Sequence, residues 1–149
     1  LRAAIDGGYV PGPRLQVAGH SLGITGGHCD ENNYRPGLFD GSPGTGIADG
    51  VDEVRRAVRY QVKYGADVIK TCATAGVLSG GTQGIGASQY SVEELEAMVA
   101  EARTLGRKVA AHAHGTEGIK RAVRAGVASI EHGSFLDEEG ARLMAERGT

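Results

Sequence analysis

Three of the five histidines in this 149-residue sequence fall within the stretch KVAAHAHGTEGIKRAVRAGVASIEHG, residues 108–133. His112 and His114 stand two residues apart in one apolar run, and His132 ends the next apolar run. A neutral imidazole is a common ligand for zinc and other transition metals. If the two runs are neighbouring strands, their ends meet and the histidines predict a metal site. Each histidine taken alone could equally be a hydrogen-bonded core residue.

Lys70, in the apolar run VIKTCA, is the second residue that could do chemistry. Burying an unpaired ammonium group is costly, so such a lysine is expected to have a lowered pKa or a chemical role. It could extend its ammonium group to water at the rim of a sheet. It could instead form a Schiff base with a carbonyl substrate. As a third option, its neutral amine could take up carbon dioxide and bridge two metal ions as a carbamate.

The elements that must position these residues alternate along the chain. Helices are predicted after Asp49 and after Ser91, both of which are suitable N-cap residues, and within TEGIKRAVRAG and DEEGARLMAERG. Short β-prone runs separate the helices, and RLQVAGH is predicted to be one more strand upstream. The other predicted strands are ADVIKTCA, KVAAHAH and VASIEHG. Apolar strands alternating with helices are typical of a parallel α/β sheet.

The predicted fold class is α/β, as a partial (β/α)8 TIM barrel. The active site of such a barrel lies at the carboxyl ends of its strands, where Lys70, His112 and His132 are expected. A whole barrel takes about 250 residues, and this sequence provides about four strands. An open, doubly wound sheet is the second option, although no G-x-G-x-x-G sequence follows a strand. Residues 1–149 are predicted to be the central fragment of a barrel, without a separate second domain.

Composition and charge argue against several classes of protein. The net charge is −2 and basic residues form no block, which argues against a nucleic-acid partner or a polybasic membrane surface. No apolar stretch approaches the ~20 residues needed to cross a bilayer. Cys29 and Cys72 have neither metal-finger nor redox spacing, so reduced thiols and a cytoplasmic location are expected. A homo-oligomer of the full-length protein is compatible with the sequence.

Three stretches of the sequence resemble the metal-dependent amidohydrolase superfamily. They are GPRLQVAGHSLGITGGH, GADVIKTCATAGVLSGG and VAAHAHGTEGIKRAVRAGVASIEHGSFLDEEG. They are most similar to the branch of imidazolonepropionase-related dipeptidases, which includes Xaa-Pro dipeptidases. The separations of 42 and 20 residues between Lys70, His112 and His132 are the specific part of this resemblance. The resemblance implies a (β/α)8 barrel to which this sequence contributes about strands 3 to 6.

The resemblance also implies roles for the strand-end residues. Lys70 matches a lysine that is carboxylated by carbon dioxide and bridges two zinc ions. His112 and His132 match two ligands of one of those ions. Either histidine of HAH could align with the ligand, and with His112 in that place His114 would face the substrate.

Further roles fall on the loops. His28 matches a histidine that polarises the scissile carbonyl group, which makes it a catalytic candidate together with Lys70. Tyr90 and Arg35 are candidate substrate-binding residues, and His20 is expected to be structural.

The activity implied by the resemblance is hydrolysis of an amide bond by hydroxide held on one or two zinc ions. The substrate would be a small molecule, most simply a dipeptide or an N-acyl amino acid. The family's first-strand His-x-His pair and eighth-strand aspartate have no counterpart here, and neither Asp30 nor Asp137 ends a predicted strand. A polypeptide of residues 1–149 alone is therefore expected to be incomplete and inactive.

Two alternatives of different kinds stay open. GADVIKT also resembles the Schiff-base strand of deoxyribose-phosphate aldolases, which are (β/α)8 enzymes. That chemistry needs a second lysine on the next strand, where this sequence has HAH. The other alternative is a non-catalytic barrel fragment, in which the histidines would be core residues and no stoichiometric zinc would bind.

Overall fold

The computed structural model describes residues 1–78 and 84–149 of the chain. Its three strands form one sheet in the order β1–β2–β3. The strands are Val68–Cys72 (β1), Lys108–Ala113 (β2) and Ser129–His132 (β3). The helices are Arg2–Asp6 (α1), Gly50–Lys63 (α2), Val92–Thr104 (α3), Thr116–Ala125 (α4) and Glu138–Arg147 (α5), with a 3-10 turn at Pro43–Thr45. In the two described ranges, no helix has the length and apolar character needed to cross a membrane.

Local signals in the sequence explain where two helices begin. The Ser91 hydroxyl accepts the Glu94 N–H (3.2 Å) and the Glu94 carboxylate accepts the Ser91 N–H (2.8 Å), which forms the capping box of α3. Asp49 precedes α2 as predicted, but its carboxylate accepts bonds from the Thr25 N–H (3.0 Å) and hydroxyl (2.6 Å). The residue predicted to cap a helix therefore holds the loop that leads to His28.

The sheet is parallel and buries one set of alternating side chains in the hydrophobic core. Ile69 of β1 and Ala111 of β2 are inaccessible to solvent and belong to the same buried cluster as Val54 of α2 and Met98 of α3. Successive residues of a strand point to opposite faces, so Lys70 of β1 and His112 of β2 face away from this core. One face of the sheet thus packs in the core, and the other carries the residues that could do chemistry.

Strand register aligns the polar residues on that second face. Cys72 pairs with His112, and His112 pairs in turn with Glu131. Because all three strands are parallel, their carboxyl ends meet at one edge of the sheet. This part of the fold prediction is confirmed.

The prediction of a strand at RLQVAGH is wrong. The segment contacts the residue before β1, where the Asp67 N–H donates to the Val17 carbonyl (2.7 Å). The bridge to β1 forms after the segment, between Leu22 and Thr71. Between these contacts Gly19 has a left-handed backbone with φ 70°, which extended strands do not adopt. The apolar pattern is that of a strand, but the backbone turns before a ladder can form.

We predict that Ile69→Ala lowers the free energy of unfolding by about 2–5 kcal/mol, because it leaves a cavity where no solvent reaches. The matched control is Val77→Ala, since Val77 is 71% exposed and should change stability by less than about 0.5 kcal/mol. Urea unfolding followed by circular dichroism measures both variants. Equal losses of stability would contradict this assignment of the core.

Candidate metal centre

Three histidines converge where β2 and β3 end. One potential ligand atom from each of His112, His114 and His132 lies within 4.8 Å of the other two. Their ring centroids are 4.7–5.0 Å apart. His112 and His114 are buried, whereas His132 is exposed. The structure therefore brings together the two histidines predicted as metal ligands, His112 and His132, with His114, which is predicted to face the substrate. This group could hold one metal ion.

His132 reaches this cluster through an unusual backbone conformation. It pairs with Ala113, whose side chain is buried in the core, so a regular strand would point the His132 ring toward the helices. Its φ of 70° is left-handed, a region in which histidine is among the better tolerated residues. This turn at the end of β3 directs the ring toward His112 instead.

One ring nitrogen of His112 and one of His114 have a hydrogen-bond partner. His112 Nε2 lies 3.1 Å from the Ala75 carbonyl, which can only accept, so Nε2 carries the proton and Nδ1 keeps its lone pair. His114 Nδ1 lies 2.7 Å from the Ser134 hydroxyl. The backbone N–H of His114 donates to Thr74 Oγ1 (2.9 Å). Such partners fix the tautomer and orientation of ligating histidines. The Ala75 contact thus leaves His112 with a free lone pair for a metal.

His28 adds a fourth imidazole to the group. Its ring stacks on His112 with centroids 4.3 Å apart and planes 24° from parallel. His28 Nδ1 is buried and has no hydrogen-bond partner among the described residues. A buried polar atom without a partner is costly and is typical of groups that await a ligand or a substrate.

The electrostatics of the cluster favour neutral rings. Burial lowers the pKa of His112 to about 4, with further lowering by the charges of His28, His114 and His132 against an opposing hydrogen bond to Ala75. Burial, followed by the charge of His132, also lowers the pKa values of His28 and His114. Neutral imidazole is the form that binds metals. Burial therefore favours the metal-binding form of His28, His112 and His114.

Lys70 belongs to the same neighbourhood. Burial lowers the pKa of its ammonium group, and the carboxylate of Glu131 partly offsets that effect. The positive charge of Lys70 also contributes to the lowered pKa of His28. A lowered lysine pKa increases the share of neutral amine, which is the nucleophilic form. The residues present fit a metal site with an adjacent reactive lysine.

The two predicted substrate residues in the loops have different surroundings. Tyr90 is buried in the core and its hydroxyl donates to the Ala48 carbonyl (3.3 Å). Burial raises the pKa of this hydroxyl. Arg35 is exposed and lines a cavity of about 260 Å³ with Thr25 and Asp30. The role of both residues toward a substrate stays a prediction.

The expectation of two reduced thiols is wrong, because Cys29 and Cys72 form a disulfide with Cα atoms 6.1 Å apart. The partners are 43 residues apart, so no short spacing motif could reveal the pair. The bond joins the loop that carries His28 to the strand that carries Lys70.

Sequence reasoning misses three further contributors to the site. The Ala75 carbonyl has no signal, because every residue has a backbone carbonyl. Ser134 stands two residues after His132 in EHGS, and this proximity was the available signal. Gln89 accepts the His28 N–H (3.1 Å) from 61 residues away, a contact that only the fold creates.

The sequence model of the amidohydrolase family matches residues 1–149. The chain belongs to the amidohydrolase family. This confirms the resemblance found in the sequence. The three-stranded parallel sheet of this amidohydrolase chain is consistent with part of a TIM barrel.

Several relatives are similar over nearly the whole of this amidohydrolase chain. Ochratoxinase from Aspergillus niger is 43% identical in an alignment of 159 positions, which covers 97% of this chain and 33% of the relative. The crystal structure of an Xaa-Pro dipeptidase with bound methionine matches with a TM-score of 0.94 and 45% identity, over 99% of this chain and 37% of that one. A prolidase complexed with N-methylphosphonate-L-proline matches with a TM-score of 0.89 and 40% identity, over 99% and 38%. The chain therefore spans about a third of the length of these relatives.

We predict that the metal-free protein loses stability as the pH falls below about 6.5 toward 4. In this range the unfolded chain binds a proton at residue 112 that the folded protein excludes, so acid favours unfolding. His112→Gln cannot titrate and should lose less stability over the same range. Urea midpoints measured as a function of pH test this, and an equally steep decline in both proteins would contradict it.

Proposed function

We propose that this protein is a metal-dependent hydrolase that cleaves the amide (C–N) bond of a dipeptide or an N-acyl amino acid. The observation that carries the proposal is the cluster of His112, His114 and His132, whose potential ligand atoms lie within 4.8 Å of one another. Membership of the amidohydrolase family supports the reaction class. The Xaa-Pro dipeptidase and the prolidase among its relatives support a dipeptide substrate.

In this proposal residues 1–149 form the centre of a longer barrel, with no separate second domain. β1, β2 and β3 would be its fourth, fifth and sixth strands. The remaining strands would supply the His-x-His pair and the aspartate, so residues 1–149 alone would be inactive. The coverage of about a third of each relative supports this arrangement.

His112 and His132 would hold a zinc ion, since imidazole suits zinc. Lys70, carboxylated by carbon dioxide, would bridge to a second ion. Once bound, the ions would lower the pKa of a coordinated water and supply the nucleophile near neutral pH. His114 would then be free to contact the substrate, with its Nδ1 held by Ser134.

His28 would act on the carbonyl group that is cleaved. Its ring stacks on His112, so an N–H of the neutral imidazole can donate to a carbonyl oxygen placed beside the metal ligands. A donor fixed before the reaction stabilises the charge that develops on that oxygen. Because its lowered pKa keeps the ring neutral, His28 would donate a hydrogen bond and not transfer its proton.

Loop contacts and partners complete the proposal. Arg35 and Tyr90 would bind the substrate, and Tyr90 would first have to give up its bond to Ala48. The partner would be a small molecule, and a net charge of −2 without a basic block supports the exclusion of nucleic acid and membrane. We keep a homo-oligomer of the full-length protein as part of the proposal. The disulfide of Cys29 with Cys72 removes the support that reduced thiols gave to a cytoplasmic location.

In the full-length protein, we expect His112→Ala and His132→Ala to remove bound zinc and to lower kcat/KM by at least about 100-fold, because each removes a ligand. His20→Ala is the matched control, since within residues 1–78 and 84–149 only the backbone N–H of His20 has a hydrogen bond, to Gln61. Elemental analysis gives the zinc content, and a panel of Xaa-Pro dipeptides and N-acyl amino acids gives the activity. A histidine variant that keeps full metal content would refute its assignment as a ligand, and wild-type protein without zinc would favour the non-catalytic alternative.

Carboxylation of Lys70 can be tested separately. Protein supplied with ¹³C-bicarbonate should show a carbamate signal by NMR, and Lys70→Ala should lose both the signal and activity. Lys70→Arg is the informative control, because it keeps a cation near Glu131 but cannot form this bridge, and should be inactive. Activity in the arginine variant would mean that Lys70 serves only as a positive charge, and borohydride trapping of a carbonyl substrate on Lys70 would favour the aldolase alternative.

A further inference from the structure

The loop that carries His28 has few regular interactions of its own. His28 lies outside every helix and strand, and the nearby backbone bonds are short-range, such as Gly27 N–H to the Ile24 carbonyl (2.9 Å) and Asp30 N–H to the Gly27 carbonyl (3.2 Å). Local turns fix the shape of a loop but not its place over a site several elements away. Something outside the loop must therefore set the position of the His28 ring.

Asp49 holds the loop at Thr25, and the contact at His28 itself comes from Gln89. The His28 N–H donates to Gln89 Oε1 at 3.1 Å. This bond acts on the backbone of the residue itself, so it fixes the point from which the imidazole ring projects. Cys29 adds a covalent attachment through its disulfide to Cys72 one residue later.

Gln89 is itself firmly attached to the sheet. Its N–H donates to the Ala73 carbonyl (3.0 Å), directly beyond the end of β1. The returning chain also pairs there through an antiparallel bridge between Thr74 and Ser88. Gln89 therefore links the end of β1, which pairs with β2, to the loop of His28 through two hydrogen bonds.

Gly76 provides the seat for the ring. A Cβ atom at this position would overlap the imidazole of His28, so only glycine leaves the space that the ring fills. The ring also stacks on His112. Gly76, Gln89 and His112 together define where the ring lies. Gln89 contributes through one side-chain atom, Oε1, which a substitution can remove.

We propose that Gln89 is a positioning residue, which holds His28 against His112 by accepting the His28 backbone N–H. The inference rests on the proposed role of His28 toward the scissile carbonyl. Gln89 does not touch the reacting atoms. Its contribution is to keep the ring within reach of them before the substrate binds, and a misplacement of about 1 Å can cost roughly 100-fold in rate.

Two variants of matched size isolate the accepting oxygen. Gln89→Glu keeps an oxygen at the same distance from the backbone, whereas Gln89→Met has nearly the same shape without that oxygen. In the full-length protein, we expect Gln89→Met to lower kcat by about 10- to 100-fold with KM and zinc content nearly unchanged, and Gln89→Glu to stay within about 3-fold of wild type. Equal losses in the two variants, or none in either, would overturn the proposal.

A double-mutant cycle with His28→Ala shows whether Gln89 acts through His28. If it does, Gln89→Met should lower kcat no further in the His28→Ala background. The same loss in both backgrounds would mean that Gln89 acts elsewhere, and the proposal would fail.

A structural readout separates this proposal from the proposed function. In NMR spectra of the histidine side chains, the chemical shifts of the His28 ring should change in Gln89→Met, because the stack on His112 is lost. They should stay unchanged in Gln89→Glu. This holds whether or not the protein cleaves any tested substrate. Unmoved signals in Gln89→Met refute the positioning role, whereas moved signals in a protein without hydrolase activity refute the proposed function alone.

Discussion

The parallel pairing of β1, β2 and β3 is the constraint on which the site depends. Its register aligns Cys72, His112 and Glu131 across the three strands and brings their carboxyl ends to one edge. A slip of β2 by one residue would turn His112 and His114 toward the hydrophobic core and place Ala113 in the site. The buried alanines and valines of the helix-facing side resist that slip, so packing on one face of the sheet secures chemistry on the other.

The cluster that results favours neutral rings at His28, His112 and His114. Four imidazoles, those of His28, His112, His114 and His132, are in ring contact, and proton uptake by one raises the cost of proton uptake by the next. Burial acts in the same direction. A bound cation would take the place that no proton can occupy without penalty, and this gives a physical reason for apolar runs to end in histidine.

Local information predicts much of this fold. The capping box at Ser91 and the apolar runs of β1 to β3 depend on residues close together in sequence, and both are found where expected. Pattern alone fails for RLQVAGH, because an apolar run does not reveal that Gly19 adopts a left-handed backbone. The disulfide of Cys29 with Cys72 and the Gln89 contact join segments 43 and 61 residues apart, so they follow from the assembled fold.

The site shows the same division. Strand alternation correctly places Lys70 and His112 on one face, but for His132 it gives the wrong face, and the left-handed residue at the end of β3 corrects the direction. The Ala75 carbonyl fixes the His112 tautomer. Its position is set by the backbone of the loop after β1, so the types of the side chains do not predict it.

The backbone of His132 also limits what evolution or an engineer could put in its place. Side chains branched at Cβ are disfavoured at a φ of 70°, whereas asparagine, aspartate and histidine are the non-glycine residues that accept it best. Aspartate is an oxygen donor, which suits harder cations such as manganese or magnesium, and histidine suits zinc. If His132 binds a metal as proposed, one substitution at the end of β3 would change which metal the site prefers without rebuilding the sheet.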